Sequence, residues 1–179
     1  MPFLIAAVVL VAALCLLNLL LTFGVIRKLR AQADNHPAAD VGDLVLAAGS
    51  TVPEFSAVTT AGDTVSRQSL GETLFGFFSP SCGACKERLP VFVEAARAAG
   101  RTGHQSVLAV LHGDEIETRE QVAALAGVAQ IVIESEDGPL GQGFAVTGYP
   151  VFGLIDAAGT VTATALDPKR LPAHAHAHA

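Results

Sequence analysis

The chain has 179 residues and a formal net charge of −6 at pH 7. All 17 acidic residues but only eight of the 11 Lys and Arg lie beyond residue 30, so that part carries −9 without a basic stripe, which argues against nucleic-acid binding. Three cysteines, Cys15, Cys82 and Cys85, are too few for a disulfide-stapled scaffold, and the roughly 150 residues after position 30 suit one domain with a single core.

From Phe3 to Ile26 the sequence runs 24 residues without a charged side chain. As a helix this stretch reaches roughly 36 Å, enough to cross a hydrocarbon core of about 30 Å. A cleaved signal peptide would want a basic start, a shorter apolar stretch and small residues at its end, whereas Met1-Pro2-Phe3 is uncharged. Leu14 stands before Cys15 where a lipoprotein signal needs a small residue. The expectation is an uncleaved transmembrane anchor over 1–30, spanning about 3–26, in contact with membrane lipid.

Residues 31–50 read as a tether. Val52-Pro53-Glu54-Phe55 begins a short strand, Ala61-Gly62-Asp63 makes a turn, and Thr64-Val65-Ser66 returns. Leu74 to Phe78 is a strand broken by Ser79-Pro80, and residues 84–99 place Leu89, Phe92, Val93, Ala96 and Ala99 on one helical face. A strand over Ser106–Leu111, a helix over Ile116–Leu125 with acids in its first turn and a strand over Ala129–Ile133 follow. A short helix covers Leu140–Val146, and strands Val151–Ile155 and Thr160–Leu166 flank the turn Ala157-Ala158-Gly159. The pattern predicts an α/β domain over 51–167, a mixed central sheet flanked by helices on a three-layer plan. Residues 168–179 form a disordered His/Ala tail; its alternating His174, His176 and His178 fit compositional drift better than a metal site, and no metal or cofactor is assigned.

The chemistry is carried by Phe77-Phe78-Ser79-Pro80-Ser81-Cys82-Gly83-Ala84-Cys85-Lys86-Glu87-Arg88-Leu89-Pro90, a C-x-x-C where an apolar strand ends and an amphipathic helix begins. There the first cysteine meets the free N–H groups and positive dipole end that favour a thiolate, the attacking species in disulfide exchange. The second lies one turn inside, more shielded, placed to attack a mixed disulfide made by the first. Hence Cys82 attacks, Cys85 resolves, and the two form a redox-active disulfide. Zinc would need four ligands, and no second C-x-x-C or spaced Cys–His pair exists. A purely structural disulfide over so short a loop would remove little chain entropy. A second signal is Gly148-Tyr149-Pro150 before the apolar strand: proline is sterically allowed at a strand start, and the sharper reading is a cis Tyr149–Pro150 bond packed against the C-x-x-C.

These segments resemble the thioredoxin superfamily, which also holds the alkyl hydroperoxide reductase and thiol-specific antioxidant proteins. Lys86 and Pro90 follow the second cysteine as in thioredoxin, and Gly148-Tyr149-Pro150 looks like the family's cis-proline loop; the resemblance covers about residues 50–167. It implies a thioredoxin-like fold, catalytic Cys82 and Cys85, and a substrate groove shaped by Gly148, Tyr149 and Pro150. The lead-in Val52-Pro53-Glu54-Phe55 and the added strand and helix look like the membrane-anchored redoxins, which include extracytoplasmic reductases of cytochrome c maturation. Phe78 to Lys86 with Leu89-Pro90 is similar to the methylamine dehydrogenase accessory proteins, which help form disulfides in a client. Departures are Ser81 in place of Trp, Gly83-Ala84 in place of Gly-Pro, Gly76 where thioredoxin has a buried Asp, and Arg88 where some anchored reductases have Glu. No carboxylate is therefore assigned as proton acceptor for Cys85, and Glu87 reads as a solvated helix face.

The function expected is thiol–disulfide exchange with a protein client, served by an upstream redox partner, from a monomer. One alternative is a peroxiredoxin-like peroxidase, for which Ser79 holds the Thr place of P-x-x-x-T-x-x-C but Phe75 stands where Pro should be. Another is a copper metallochaperone, whose C-x-x-x-C has one residue more between its cysteines. Arg27, Lys28 and Arg30 directly after the span place the domain in the cytoplasm by the positive-inside rule, whereas the resemblance places it outside the membrane; the extracytoplasmic side is taken here.

Overall fold

Every residue of the strand Thr73–Phe78 is buried, and the domain is built outwards from it. A computed structural model describes residues 41–102, 105–135 and 137–172, together with 5, 14–16 and 18. In chain order the elements are α1 (Val41–Leu44), β1 (Ser56–Val58), β2 (Thr64–Ser66), β3 (Thr73–Phe78), α2 (Gly83–Thr102), β4 (Ser106–His112), α3 (Arg119–Leu125), β5 (Gln130–Glu134), α4 (Pro139–Gly143), β6 (Val151–Ile155) and β7 (Val161–Ala165).

The main sheet has five strands in the order β5-β4-β3-β6-β7. β3, β4 and β5 run parallel, and β6 and β7 pair antiparallel, which is the mixed sheet the sequence predicts. Parallel strands need both faces covered, and the side chains of β3 divide accordingly. Phe75 and Phe77 face a cluster with Val45 just after α1, Val65 of the β1–β2 hairpin, Leu140 of α4 and Phe144 at its C-cap. Leu74 and Phe78 face the opposite cluster, with Phe92 and Val93 of α2 and Leu125 of α3. On that second face Phe78, Phe92 and Phe152 form a three-ring group with centroids 5.3 to 5.5 Å apart. Gly76 lies beneath it, and a Cβ added there would stand 2.8 Å from Cε2 of Phe92. The helix can lie this close to the sheet because position 76 has no side chain.

Several boundaries differ from the sequence expectations. Val52-Pro53-Glu54-Phe55 is not a strand; Thr51 makes an isolated bridge to Thr160, and the hairpin strand starts at Ser56. Pro53 offers no N–H to a ladder, so this stretch buries Val52 and Phe55 without pairing further. The hairpin turn is as read: Thr59 Oγ1 accepts from the N–H groups of Ala61 and Asp63, and Gly62 takes φ +89°. The helix expected from Ile116 begins only at Arg119, because Asp114 Oδ1 captures the N–H groups of Ile116 and Glu117 at 2.8 Å each and holds a turn there.

The larger difference lies before residue 51. Residues 41–50, read as tether, belong to the folded domain: Val45 is buried, Leu46 N–H donates to Phe144 O at 2.7 Å, and Gly49 N–H to Val161 O at 2.7 Å. Pro168–Arg170, read as part of the tail, forms a 3-10 turn capped by Asp167, with Pro168 buried. The chain divides into two units, Met1–Ala38 and Ala39–Ala179. The expected span over 3–26 lies outside the described residues apart from 5, 14–16 and 18, as do the histidines of 173–179. Among the described residues, no helix is long and apolar enough to cross a membrane.

Candidate active site

Phe78 ends β3 in the core, and Ser79, Pro80 and Ser81 carry the chain to the first turn of α2. Cys82 N–H donates to Ser79 O at 3.2 Å, and Cys82 O accepts from Lys86 N–H at 3.4 Å, so Cys82 is the N-terminal cap of α2. Its sulfur takes the place that a Ser or Asp oxygen usually holds in such a cap: Cys82 Sγ accepts the N–H of Cys85, three residues on, at 3.2 Å. The spacing of the motif thus has a structural meaning. The helix end directs an otherwise unpaired N–H at the first sulfur, and the residue supplying it is the second cysteine.

The two thiols, both free, have unlike surroundings. Cys82 is partly exposed, whereas Cys85 is fully buried in the cluster of Phe78 and Phe92. Burial, reinforced by the hydrogen bond and charge of Cys82, pushes the Cys85 thiol up to about 12, against the opposing bond from Ser79 N–H at 3.5 Å. The ring of Phe92 closes the space over Gly76, where thioredoxin has its buried Asp. Arg88 turns away to pair with Asp167 at 3.1 Å, and Glu87 is exposed.

The other signal, 67 residues along the chain, meets the first. The Tyr149–Pro150 bond is cis, Pro150 is buried, and Cys82 Sγ donates to Tyr149 O at 3.5 Å. Gly148 is where α1 approaches: a Cβ there would stand 2.9 Å from Leu44 Cδ2. Thr147 N–H donates to Leu44 O at 3.0 Å and Thr147 Oγ1 to Asp43 O at 2.9 Å, so the segment read as tether braces the proline loop. Beside the motif an open groove of about 710 Å³ passes Ser79, Pro80 and Ser81 towards His112, Asp114 and Glu117.

Sequence reasoning passed over His112 and Glu134. They end β4 and β5, pair in register, and are buried. Polar residues ending two apolar parallel strands were the available signal, since sites in such sheets gather at the carboxyl ends of strands. Among the described residues no three His, Cys, Asp or Glu side chains come together as a metal site.

No family model matches the sequence, and no curated protein does. Solved structures do. The thioredoxin domain of a thiol-disulfide oxidoreductase from Bacteroides vulgatus is 19% identical, with 69% of this chain and 91% of that one covered at a TM-score of 0.58. A protein provisionally described as a thioredoxin from Neisseria meningitidis is 26% identical, with 66% and 81% covered at 0.56. A provisionally assigned thiol:disulfide interchange protein DsbE from Chlorobium tepidum is 20% identical, with 66% and 84% covered at 0.55.

Proposed function

With its folded domain thioredoxin-like and similar to thiol-disulfide oxidoreductases, we propose that this chain is a membrane-anchored enzyme that exchanges disulfides with a protein client. The observation that carries the reading is the asymmetry of the pair: Cys82 caps a helix within reach of a client, and Cys85 is buried behind it with a thiol pushed up to about 12.

In the reducing direction the Cys82 thiolate attacks one sulfur of the client disulfide. A Cys82–client bond forms, the client S–S bond breaks, and the second client sulfur leaves and takes up a proton. Cys85 then attacks Cys82 Sγ, its proton passing to the first client sulfur, which leaves as a thiol as the Cys82–Cys85 disulfide closes. Two electrons pass to the client; the oxidising direction is the same sequence reversed. The order of steps is built into the site. While Cys82 is free, burial holds Cys85 protonated, with the hydrogen bond and charge of Cys82 in support. Once Cys82 is in a mixed disulfide its charge is gone, and Cys85 ionises more readily at the point where it must attack.

The Tyr149 carbonyl facing Cys82 and the groove past Ser81 leave room for an extended client segment beside the reacting sulfur. The uncharged stretch 3–26 supports the anchor, and the likeness to anchored redoxins and methylamine dehydrogenase accessory proteins supports an extracytoplasmic domain with a dedicated protein client. Insulin reduction by the purified domain with a dithiol donor tests the reading. Activity lost in Cys82→Ser, with stable client adducts in Cys85→Ser, is the expected result; consumption of hydrogen peroxide without disulfide exchange would favour the peroxidase instead.

A further inference from the structure

His112 and Glu134 lie side by side at the carboxyl ends of β4 and β5, on the sheet face that also carries Phe77. Both are buried, with 4% and 9% of their surface exposed. Ionisable residues so deeply placed need partners, and contacts of these two link the first turn of α4 to Tyr149. Glu134 Oε2 accepts from Leu140 N–H at 3.1 Å and Oε1 from Gly141 N–H at 2.7 Å. A Cβ on Gly138 would collide with the Glu134 carboxyl group, so that glycine lets the turn close over it. His112 Nε2 stands 3.4 Å from Glu134 Oε1, within ion-pair distance but without hydrogen-bond geometry. On the opposite side of the imidazole, Nδ1 lies 2.9 Å from the hydroxyl of Tyr149, with the two rings 5.0 Å apart. A His112 carrying its proton on Nε2, towards the carboxyl group, accepts the Tyr149 hydroxyl at Nδ1. Tyr149 is the residue whose carbonyl meets Cys82.

We infer that His112, fixed by Glu134, is a positioning residue for client exchange: it holds the Tyr149 side chain and thereby the Tyr149 backbone against which a protein client aligns beside Cys82. The inference rests on the exchange reading and deepens it. A packing role alone would be served by an apolar side chain at 112, as at every other position from 107 to 111. The strand instead ends on a ring whose two nitrogens face a buried carboxyl group and a loop hydroxyl. A small disulfide reacts at Cys82 without extending along the loop. A protein client does, so the chain of contacts matters for one substrate and not for the other.

The test compares insulin with a small aromatic disulfide, using the full chain with Cys15 replaced. Tyr149→Phe and His112→Leu should each raise KM for insulin about fivefold to tenfold, the effect of one lost hydrogen bond. His112→Leu should weaken exchange with insulin at least about threefold more than exchange with the small disulfide, and the double variant should be no worse on insulin than the poorer single one, because both changes break the same chain. Unchanged KM, equal losses on both substrates, or additive losses would overturn the inference. If His112→Leu does not fold, Tyr149→Phe decides alone, since it removes only a hydroxyl. A wild-type protein inert towards both disulfides would overturn the exchange reading and this inference with it, a result distinct from an active wild type whose variants behave like it.

Discussion

Cys82 Sγ and the carbonyl oxygen of Tyr149 lie 3.5 Å apart although 67 residues separate them in the chain. One ends the path out of β3 and the other ends the path into β6, and these strands are hydrogen-bonded neighbours, with Phe77 opposite Val151 in register. The sheet therefore carries both loops to one place. The reacting sulfur and the backbone that would align a client share a rigid support, the arrangement that gives a site its precision.

The unlike surroundings of the two cysteines predict unlike reactivity. In the reduced domain at neutral pH, iodoacetamide should modify Cys82 first and Cys85 at least about tenfold more slowly, since only thiolates react and the Cys85 thiol is held up to about 12. Mass spectrometry of peptides after timed quenching reads this out. Equal labelling would contradict the assignment of attacking and resolving roles.

The same burial links redox state to alkaline stability. An unfolded Cys85 ionises around 9.0, the folded one only at about 12, so between these values the unfolded chain releases its proton first. The contribution is present below pH 9 and lost as pH rises towards 12. Denaturation of the reduced wild type should therefore become easier over that window, and Cys85→Ala should show a flatter profile. Parallel profiles would mean that Cys85 is not held protonated by the fold.

Gly76 and Phe92 make a packing prediction. Gly76→Ala puts a Cβ 2.8 Å from Cε2 of Phe92, and overpacking of this kind costs about 1–3 kcal/mol, against a gain of about 0.4–1 kcal/mol from a stiffer unfolded chain. A net fall in Tm of a few degrees is expected, partly recovered by adding Phe92→Leu. A raised Tm would show that the ring moves aside without penalty.

Much of this was legible in the sequence because it was written in local patterns. The apolar runs of β3, β4 and β6, the helical face of Leu89, Phe92, Val93 and Ala96, and the C-x-x-C between strand and helix each announce themselves within a dozen residues. What escaped was set by tertiary contact. Val41, Leu44, Val45 and Leu46 make an apolar group too short to announce an element, and only contacts of this segment with the distant Phe144, Thr147 and Val161 show that residues 41–50 are folded. His112 and Glu134 are single polar residues after apolar strands, and their meaning depends on the register that sets them side by side.

A fragment starting at residue 39 should accordingly be more stable than one starting at 51. The shorter fragment loses the burial of Val45, about 1.5–3 kcal/mol, and the hydrogen bonds of Leu46 and Gly49 to Phe144 and Val161. It also loses the bonds from Thr147 that brace the loop before Pro150. Urea titration should show a lower midpoint for 51–179, with insulin reduction falling further than stability alone explains. Equal midpoints would return 41–50 to the status of a tether.

The membrane side of the domain is the proposal on which two physical arguments disagree. Arg27, Lys28 and Arg30 follow directly on the uncharged stretch 3–26, and the positive-inside rule would keep such a flank in the cytoplasm. Disulfide exchange with a client is most useful where thiols are oxidised, outside the reducing cytosol. The anchored redoxins that this chain resembles work there, and we place Cys82 and Cys85 on that side. Intact cells expressing a variant without Cys15 are reduced mildly and treated with a membrane-impermeant maleimide. Labelling of Cys82 before lysis is the expected outcome, with Cys85, buried in the core, labelled far less. Labelling that appears only after lysis would put the domain in the cytoplasm and make the three basic residues the better guide.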